Sequence, residues 1–258
     1  MEQNIVNGLW IGSELSEVES LCIRSWINQG YEFHLYCYDR IKGIPEGTVV
    51  KDANEIISEK KIFTTIRGSY AHFADWFRWT LLYNNGGIWS DMDVVCIKQL
   101  PHLSVIFAPE KDGLYNTSVL GFPAKHAVSK LMMEVSANPN KILRYDSFKR
   151  KVKKRFRSIL GLFVEKKQLV GWGEASGPTG FTNAINYFGI SSVALRIDNI
   201  YPLRSKNWLD TFETEAFLPV LEDAFCVHLW NELIRINKYD ILRRREDCLF
   251  NYLLDINK

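Results

Sequence analysis

Residues 69–95 read SYAHFADWFRWTLLYNNGGIWSDMDVV, and this stretch decides both fold and site. Phe73, Trp76, Phe77, Thr80 and Leu81 recur at three- and four-residue steps, the spacing of a buried helix face. Asp75 and Arg78 lie three apart, so both project from one side of that helix. Asn84-Asn85-Gly86-Gly87 stops it, because glycine enters left-handed backbone at little cost. Ile88 and Trp89 open a short extended segment that carries Asp91 and Asp93 to its end. Alternate residues of an extended chain face one way, so both carboxylates are expected to reach one point. Carboxylates so placed repel unless a cation lies between them. A hard ion such as Mn²⁺ or Mg²⁺ takes oxygen ligands and bridges to substrate phosphates. The stretch therefore predicts a metal–diphosphate site, with an Asp/Arg pair beside it to grip a polar substrate.

An Asp-x-Asp alone is common in solvated acidic turns. Here it follows Gly-Gly-aromatic and an Asp-x-x-Arg helix at fixed distance. Ala74-Asp75, Arg78, Leu81, Tyr83, Gly86-Gly87-Ile88-Trp89 and Asp91-Met92-Asp93-Val94 together resemble the sugar-binding region of DXD-motif glycosyltransferases of the family 32 type. That group includes capsule, lipopolysaccharide and Golgi sugar transferases, and is related in fold to the large clostridial glucosylating toxins. Trp89 stands where the family more often has Tyr, a departure expected to leave the metal site untouched. The resemblance implies a GT-A-type fold and a metal-dependent retaining transferase. It would move a sugar from a nucleotide-sugar donor of the UDP-hexose kind to a saccharide or lipid-linked oligosaccharide acceptor, in cell-surface polysaccharide synthesis. Asp91 and Asp93 would hold Mn²⁺ or Mg²⁺, Asp75 would bind donor-sugar hydroxyls, and Arg78 would offer its planar fork to sugar or diphosphate.

At 258 residues the chain has room for one large α/β domain, and a single domain over 1–258 is expected. With 47% hydrophobic and 24% charged residues, its composition is that of a globular protein. A net charge of +2 is too small to imply nucleic acid. Cys22, Cys37, Cys96, Cys226 and Cys248 contain no Cys-x-x-Cys pair, so they are expected to be buried thiols in a reducing cytosol. The first residues lack a basic start followed by an apolar core, and no run of 18 apolar residues occurs; a cytoplasmic protein is expected.

Ile5–Ile11 reads as a first strand, Ser13 as the cap of a helix that Gly30 ends, and Tyr31–Tyr38 as a second strand. Strand, helix and strand at this spacing begin a Rossmann-like, mainly parallel sheet flanked by helices. Such sheets bind ligands beyond the carboxyl ends of their strands, where Trp10 and Asp39 lie. The resemblance makes these two base or ribose contacts; Trp10 could equally serve the core. A short strand is expected near Val49-Val50 and a short helix near Asn54–Ser58. Further strands are expected at Val94–Ile97, Val105–Pro109, Tyr115–Phe122, Leu195–Ile197 and Ile200–Tyr201, with a loop at Gly171–Gly173. Asn116 resembles the family's Asn-containing strand that closes over the sugar, or is a turn residue. Gly177-Pro178-Thr179-Gly180-Phe181-Thr182 opens a helix with a Thr cap, and resembles a family loop lining donor and acceptor, with Ser176 in place of the usual Thr. Ala224–Asn231 reads as an apolar strand ending in His228, Trp230 and Asn231. A lone His is usually a core residue, but the resemblance makes His228 a third metal ligand, with Trp230 and Asn231 closing over the diphosphate.

Residues 141–167 hold eleven basic side chains against Asp146 and Glu165, interleaved with apolar residues at roughly helical spacing. Such a segment fits peripheral contact with an anionic membrane, through a basic amphipathic insertion. A solvated helical insertion is the rival, and no base-reading motif supports nucleic acid. For the whole chain, three other readings remain: a sugar-binding module without catalysis, an Asp-x-Asp phosphatase, and an acidic turn of purely structural use.

Overall fold

In a computed structural model, residues 4–65, 68–163, 167–168, 173–216 and 218–258 are described. Gly171 and Trp172, read as loop, lie outside them. The chain opens with β1 (Ile5–Trp10), α1 (Glu17–Asn28), β2 (Glu32–Cys37) and β3 (Val49–Asp52). Helix α1 is capped by Ser16, not Ser13: Val18 N–H donates to Ser16 Oγ, and Ser16 N–H donates to the Glu19 carboxylate at 2.7 Å. This closes a capping box.

Helix α2 (Ala71–Asn85) ends at Gly86, whose φ of 70° and ψ of −158° suit glycine alone. Then come β4 (Gly87–Ser90), β5 (Val94–Cys96), β6 (Val119–Phe122), α3 (Ala127–Ala137), α4 (Phe148–Leu160), α5 (Pro178–Phe188), β7 (Cys226–His228), α6 (Asn231–Ile236) and α7 (Leu249–Asp255).

The main sheet has the order β3-β2-β1-β4-β6, parallel throughout except for the antiparallel β4–β6 pair. The mixed, mainly parallel sheet expected from the sequence is thus present. Both faces are covered. Val6, Phe33, Leu35, Ile88 and Val119 join α1 and the C-terminal elements in one core. Leu9, Tyr36, Trp89, Leu120 and Phe122 join α2, α3 and α5 in another. Strands buried on both sides read as near-continuous apolar runs, which explains β2 and β4. All five cysteines are free and buried.

Several local expectations give way to tertiary context. The 105–109 run supplies an isolated bridge from Ile106 to Gly121 and a short strand at Pro109–Lys111. Tyr115–Phe122 is broken: Leu114–Tyr115 ends before β6, and residues 116–118 form a link. Residues 53–55 form a single 3-10 turn capped by Asp52. Ile197–Ile200 is one helical turn instead of strand, closed by Arg196 N–H donating to Asn199 Oδ1 at 3.0 Å. Helix α5 is capped by Gly177 without a side-chain bond, Pro178 taking the first helical position in place of a Thr cap.

Candidate active site

The site lies where β4 leaves the sheet. Asp91-Met92-Asp93 is a tight turn, closed by Val94 N–H donating to Asp91 O at 3.3 Å, and not the extended run expected. The turn sends the two carboxylates to different partners. Asp91 Oδ1 lies 2.9 Å from Arg78 Nη2, Asp91 Oδ2 3.4 Å from Arg78 Nη1, and Trp89 Nε1–H donates to Asp91 Oδ1 at 2.8 Å. Asp93 Oδ1 lies 3.2 Å from His228 Nε2, and Asn231 N–H donates to Asp93 Oδ2 at 2.9 Å. Val94–Cys96 pairs with Cys226–His228, and this pairing is what brings His228 to Asp93.

Arg78 is the hub. It is buried, sits 3.5 Å from Asp75 Oδ1, donates to Thr117 O at 2.6 Å, and stacks 5.2 Å from the Trp89 ring centre. Ser176 Oγ–H donates to Asp75 Oδ2 at 3.1 Å, and Trp79 Nε1–H fixes Ser176 through its carbonyl at 3.0 Å. A methyl group on Gly177 would come within 3.3 Å of Asp75 Oδ2 and 2.7 Å of Gly173 Cα. The Gly177-Pro178 loop therefore abuts Asp75. Asn116 is buried; its Oδ1 accepts Ser118 N–H at 2.8 Å and its amide donates to Glu110. The same link hands Thr117 O to Arg78 and Ser118 O to Asp91 N–H at 2.7 Å.

The electrostatics follow the pairing. Burial, partly offset by Arg78, pushes the Asp91 carboxyl up to about 6. Burial also works to raise Asp93, but His228 and the Asn231 N–H outweigh it and hold Asp93 low. Burial opposes a charge on His228, yet Asp93, with Asp91 and Glu110 behind it, lifts its pKa above the ordinary imidazole value. Arg78 Nε and His228 Nδ1 are buried with no hydrogen-bond partner among the described residues. Such orphans are rare in a finished interior and mark a place where a polar ligand can complete the network.

Among the described residues, no three His, Cys, Asp or Glu side chains converge at metal-ligand spacing. The expected triad of Asp91, Asp93 and His228 is therefore not assembled; Arg78 and Trp89 hold Asp91 on their own side. Asp93 and His228 present an oxygen and a nitrogen 3.2 Å apart, a spacing that two ligands of one ion can share once the imidazole gives up the proton it holds against Asp93. An open depression of about 310 Å³ reaches Asp93 and is lined by Met92, Asn231, Glu232 and Arg235.

Other expected contacts are engaged elsewhere. Trp230 Nε1–H donates to Leu203 O at 3.0 Å, and the Asn231 amide donates to Glu19 at 3.0 Å, so neither polar group is directed at a ligand. Trp10 lies half-buried at the edge of the core and donates to Glu14 O at 3.1 Å, while Asp39 is exposed. No hydrogen bond or ion pair joins Trp10 or Asp39 to the Arg78 network among the described residues. Sequence reasoning missed Glu19 and Glu110, and took Trp89 and Ser176 only as departures from the family's usual Tyr and Thr, not as partners of Asp91 and Asp75. Trp89 does touch Asp91, so the exchange of Tyr for Trp is not remote from the carboxylates. The Ser16-x-x-Glu19 capping box was the available signal for Glu19; Glu110 carries no motif.

Asp75, Arg78, Asp91 and Asp93 lie in a glycosyltransferase-like region that carries the DXD motif. Residues 16–111 match the family model described as "glycosyltransferase sugar-binding region containing DXD motif". An uncharacterized glycosyltransferase, L373 of Acanthamoeba polyphaga mimivirus, is 32% identical over 106 residues. That alignment spans 39% of this chain and 39% of the mimivirus protein. Among solved structures, the ligand-free glycosyltransferase domain from the YGT toxin superposes with a TM-score of 0.54 at 10% identity, covering 83% of each chain. This likeness shows a shared fold. The PaToxG glycosyltransferase gives 0.47 at 15% identity over 72% of this chain and 68% of its own.

Proposed function

We propose that the protein transfers a sugar from a nucleotide-sugar donor to a saccharide or lipid-linked oligosaccharide acceptor, with the UDP-hexose class as donor and a surface polysaccharide as product. The observation that supports this most is the chain of buried Asp75 and Arg78 with part-buried Asp91, with an unpartnered Arg78 Nε, inside the glycosyltransferase-like region. Asp75 accepts hydrogen bonds from donor-sugar hydroxyls and sets the ring's orientation, at the expense of its bond from Ser176. Arg78 supplies fixed positive charge next to the leaving diphosphate, in a site where burial strengthens it. Asp93 and His228 would hold a divalent cation, Mn²⁺ or Mg²⁺, whose Lewis acidity stabilises charge developing on a diphosphate leaving group. No covalent nucleophile stands out around Asp75; a retaining outcome by front-face attack, with the leaving phosphate taking the acceptor proton, agrees with that.

A second reading, a sugar-binding module without catalysis, is favoured by one observation: Asp91 is committed to Arg78 and Trp89 instead of a ligand cluster. One experiment separates the two. Purified protein is given a panel of UDP- and GDP-sugars with Mn²⁺ or with EDTA, alongside Asp93→Ala. Hydrolysis of one donor that needs the metal and is lost in the variant supports the transferase. Metal-dependent binding with no turnover, even with acceptor saccharides added, supports the module. Absence of binding and turnover for every donor overturns both.

A further inference from the structure

Helix α4 is mounted with its polar side inward. Its sequence, FKRKVKKRFRSIL, holds seven basic and no acidic residues. Lys154 is buried and donates to Asp146 at 2.7 Å and to Lys141 O at 2.8 Å. Arg157 and Lys153 grip Glu174 at 2.9 and 3.1 Å. Arg150, Lys154 and Arg157 together face the small cleft formed by Tyr145, Asp146 and Glu174. At about 100° per residue, Phe148, Val152, Phe156 and Ile159 fall on the opposite side. They are 82, 49, 62 and 59% exposed, and Leu162 just beyond the helix is 81% exposed.

A surface helix ordinarily buries its apolar stripe and shows its charges. Here internal ion pairs take up the charges on the inner side, and a contiguous apolar stripe is left facing outward, the mark of an interaction surface. Lys149 borders the stripe on one flank, Lys151 and Arg155 on the other.

We propose that α4 docks on an anionic lipid bilayer. Phe148, Val152, Phe156 and Ile159 enter the boundary between headgroups and acyl chains, and Lys149, Lys151 and Arg155 reach the lipid phosphates. Charge selects this occupant. A second copy of the chain would bring the same basic borders against each other, whereas an anionic bilayer supplies apolar depth and negative charge at the matching level. The mount is tied to the site: Glu174, which grips α4, lies two residues before Ser176, which donates to Asp75. Docking would fix how the Asp75–Arg78 network is oriented relative to the membrane, whatever donor the site takes.

The test is flotation of the full chain with phosphatidylcholine vesicles and with vesicles containing phosphatidylglycerol. Two variants accompany it, Phe156→Ser/Ile159→Ser and Lys149→Gln/Lys151→Gln/Arg155→Gln. These side chains face outward, so both variants are expected to keep the parent's thermal unfolding midpoint. The expected result is binding to the anionic vesicles only, weakened on the order of a hundredfold by the triple neutralisation and also lost in the serine variant. Binding equal in both lipids, binding unchanged in the variants, or no binding by the parent chain overturns the proposal. Sedimentation that shows a dimer dissolved by Phe156→Ser/Ile159→Ser overturns it in favour of a second copy.

Discussion

The Arg78 guanidinium faces both oxygens of Asp91, at 2.9 and 3.4 Å, while Asp75 stands 3.5 Å from the same group. One cation thereby holds two carboxylates from different elements, α2 and the turn after β4. Removing it strips buried Asp75 and part-buried Asp91 of that charge and leaves His228 as the remaining positive charge acting on Asp91. Arg78→Ala should lower unfolding free energy by about 3–5 kcal/mol, the usual cost of orphaning a buried charge. Arg78→Lys should recover part of that and none of the two-pronged contact. Urea unfolding of the three proteins checks this. Equal midpoints for parent and alanine variant would mean that the pair contributes nothing.

Gly177 leaves no room for a side chain between Asp75 and Gly173. Gly177→Ala should push the Ser176 loop away from Asp75 while the sheet stays intact. If the donor-sugar reading holds, turnover should drop by about tenfold or more, as displacement of an orienting group usually costs, with little change in melting temperature.

Gly86 combines a left-handed φ with a close approach: a methyl group there would meet Ala124 N at 2.5 Å. Gly86→Ala should cost about 3 kcal/mol or more, from strain and collision together. Thermal denaturation followed by circular dichroism would register it as a large fall in midpoint.

Burial works to raise the Glu174 carboxyl, and hydrogen bonds from Arg157 and Lys153 override it, holding the group at about 2. A depressed carboxyl contributes stability that is complete above its ordinary value of 4.5 and disappears as pH falls through about 2. Parent stability should therefore decline more steeply than that of Glu174→Gln across this window. Above it the two curves should run parallel, with the parent higher. Parallel curves throughout would remove Glu174 from the acid response.

The helix at 71–85, its glycine stop and the strand behind it were legible because period and punctuation are local signals. The turn at Asp91–Asp93 was not. It depends on Val94–Cys96 pairing with Cys226–His228, a contact that no window around the motif contains. The division of cations, Arg78 to Asp91 and His228 to Asp93, was hidden for the same reason. Arg78 was placed near the site by its spacing from Asp75, but its choice of Asp91 depends on where Thr117 O and the Trp89 ring lie. Leu195–Tyr201 misled in the opposite way: an apolar run reads as strand, yet Asn199 bonding to Arg196 N–H makes a local helical turn cheaper. The composition of α4 disclosed its charge and its amphipathic period. Which side faces the protein was set by Asp146 and Glu174, outside the helix.

Asn231 N–H reaches Asp93 across 138 positions of sequence, and His228 approaches the same carboxylate beside it. The stretch that carries the motif is therefore not a portable unit. A peptide cut to residues 16–111 would keep Asp75, Arg78, Asp91 and Asp93, but lose β1 from the middle of the sheet, β6 from its edge and the strand that answers β5. Transplanting the motif into another scaffold would move letters without the electrostatics that give them meaning. Closing that loop costs the Asp93–Asn231 contact more chain entropy than the Arg78–Asp91 pair, whose partners lie 13 positions apart.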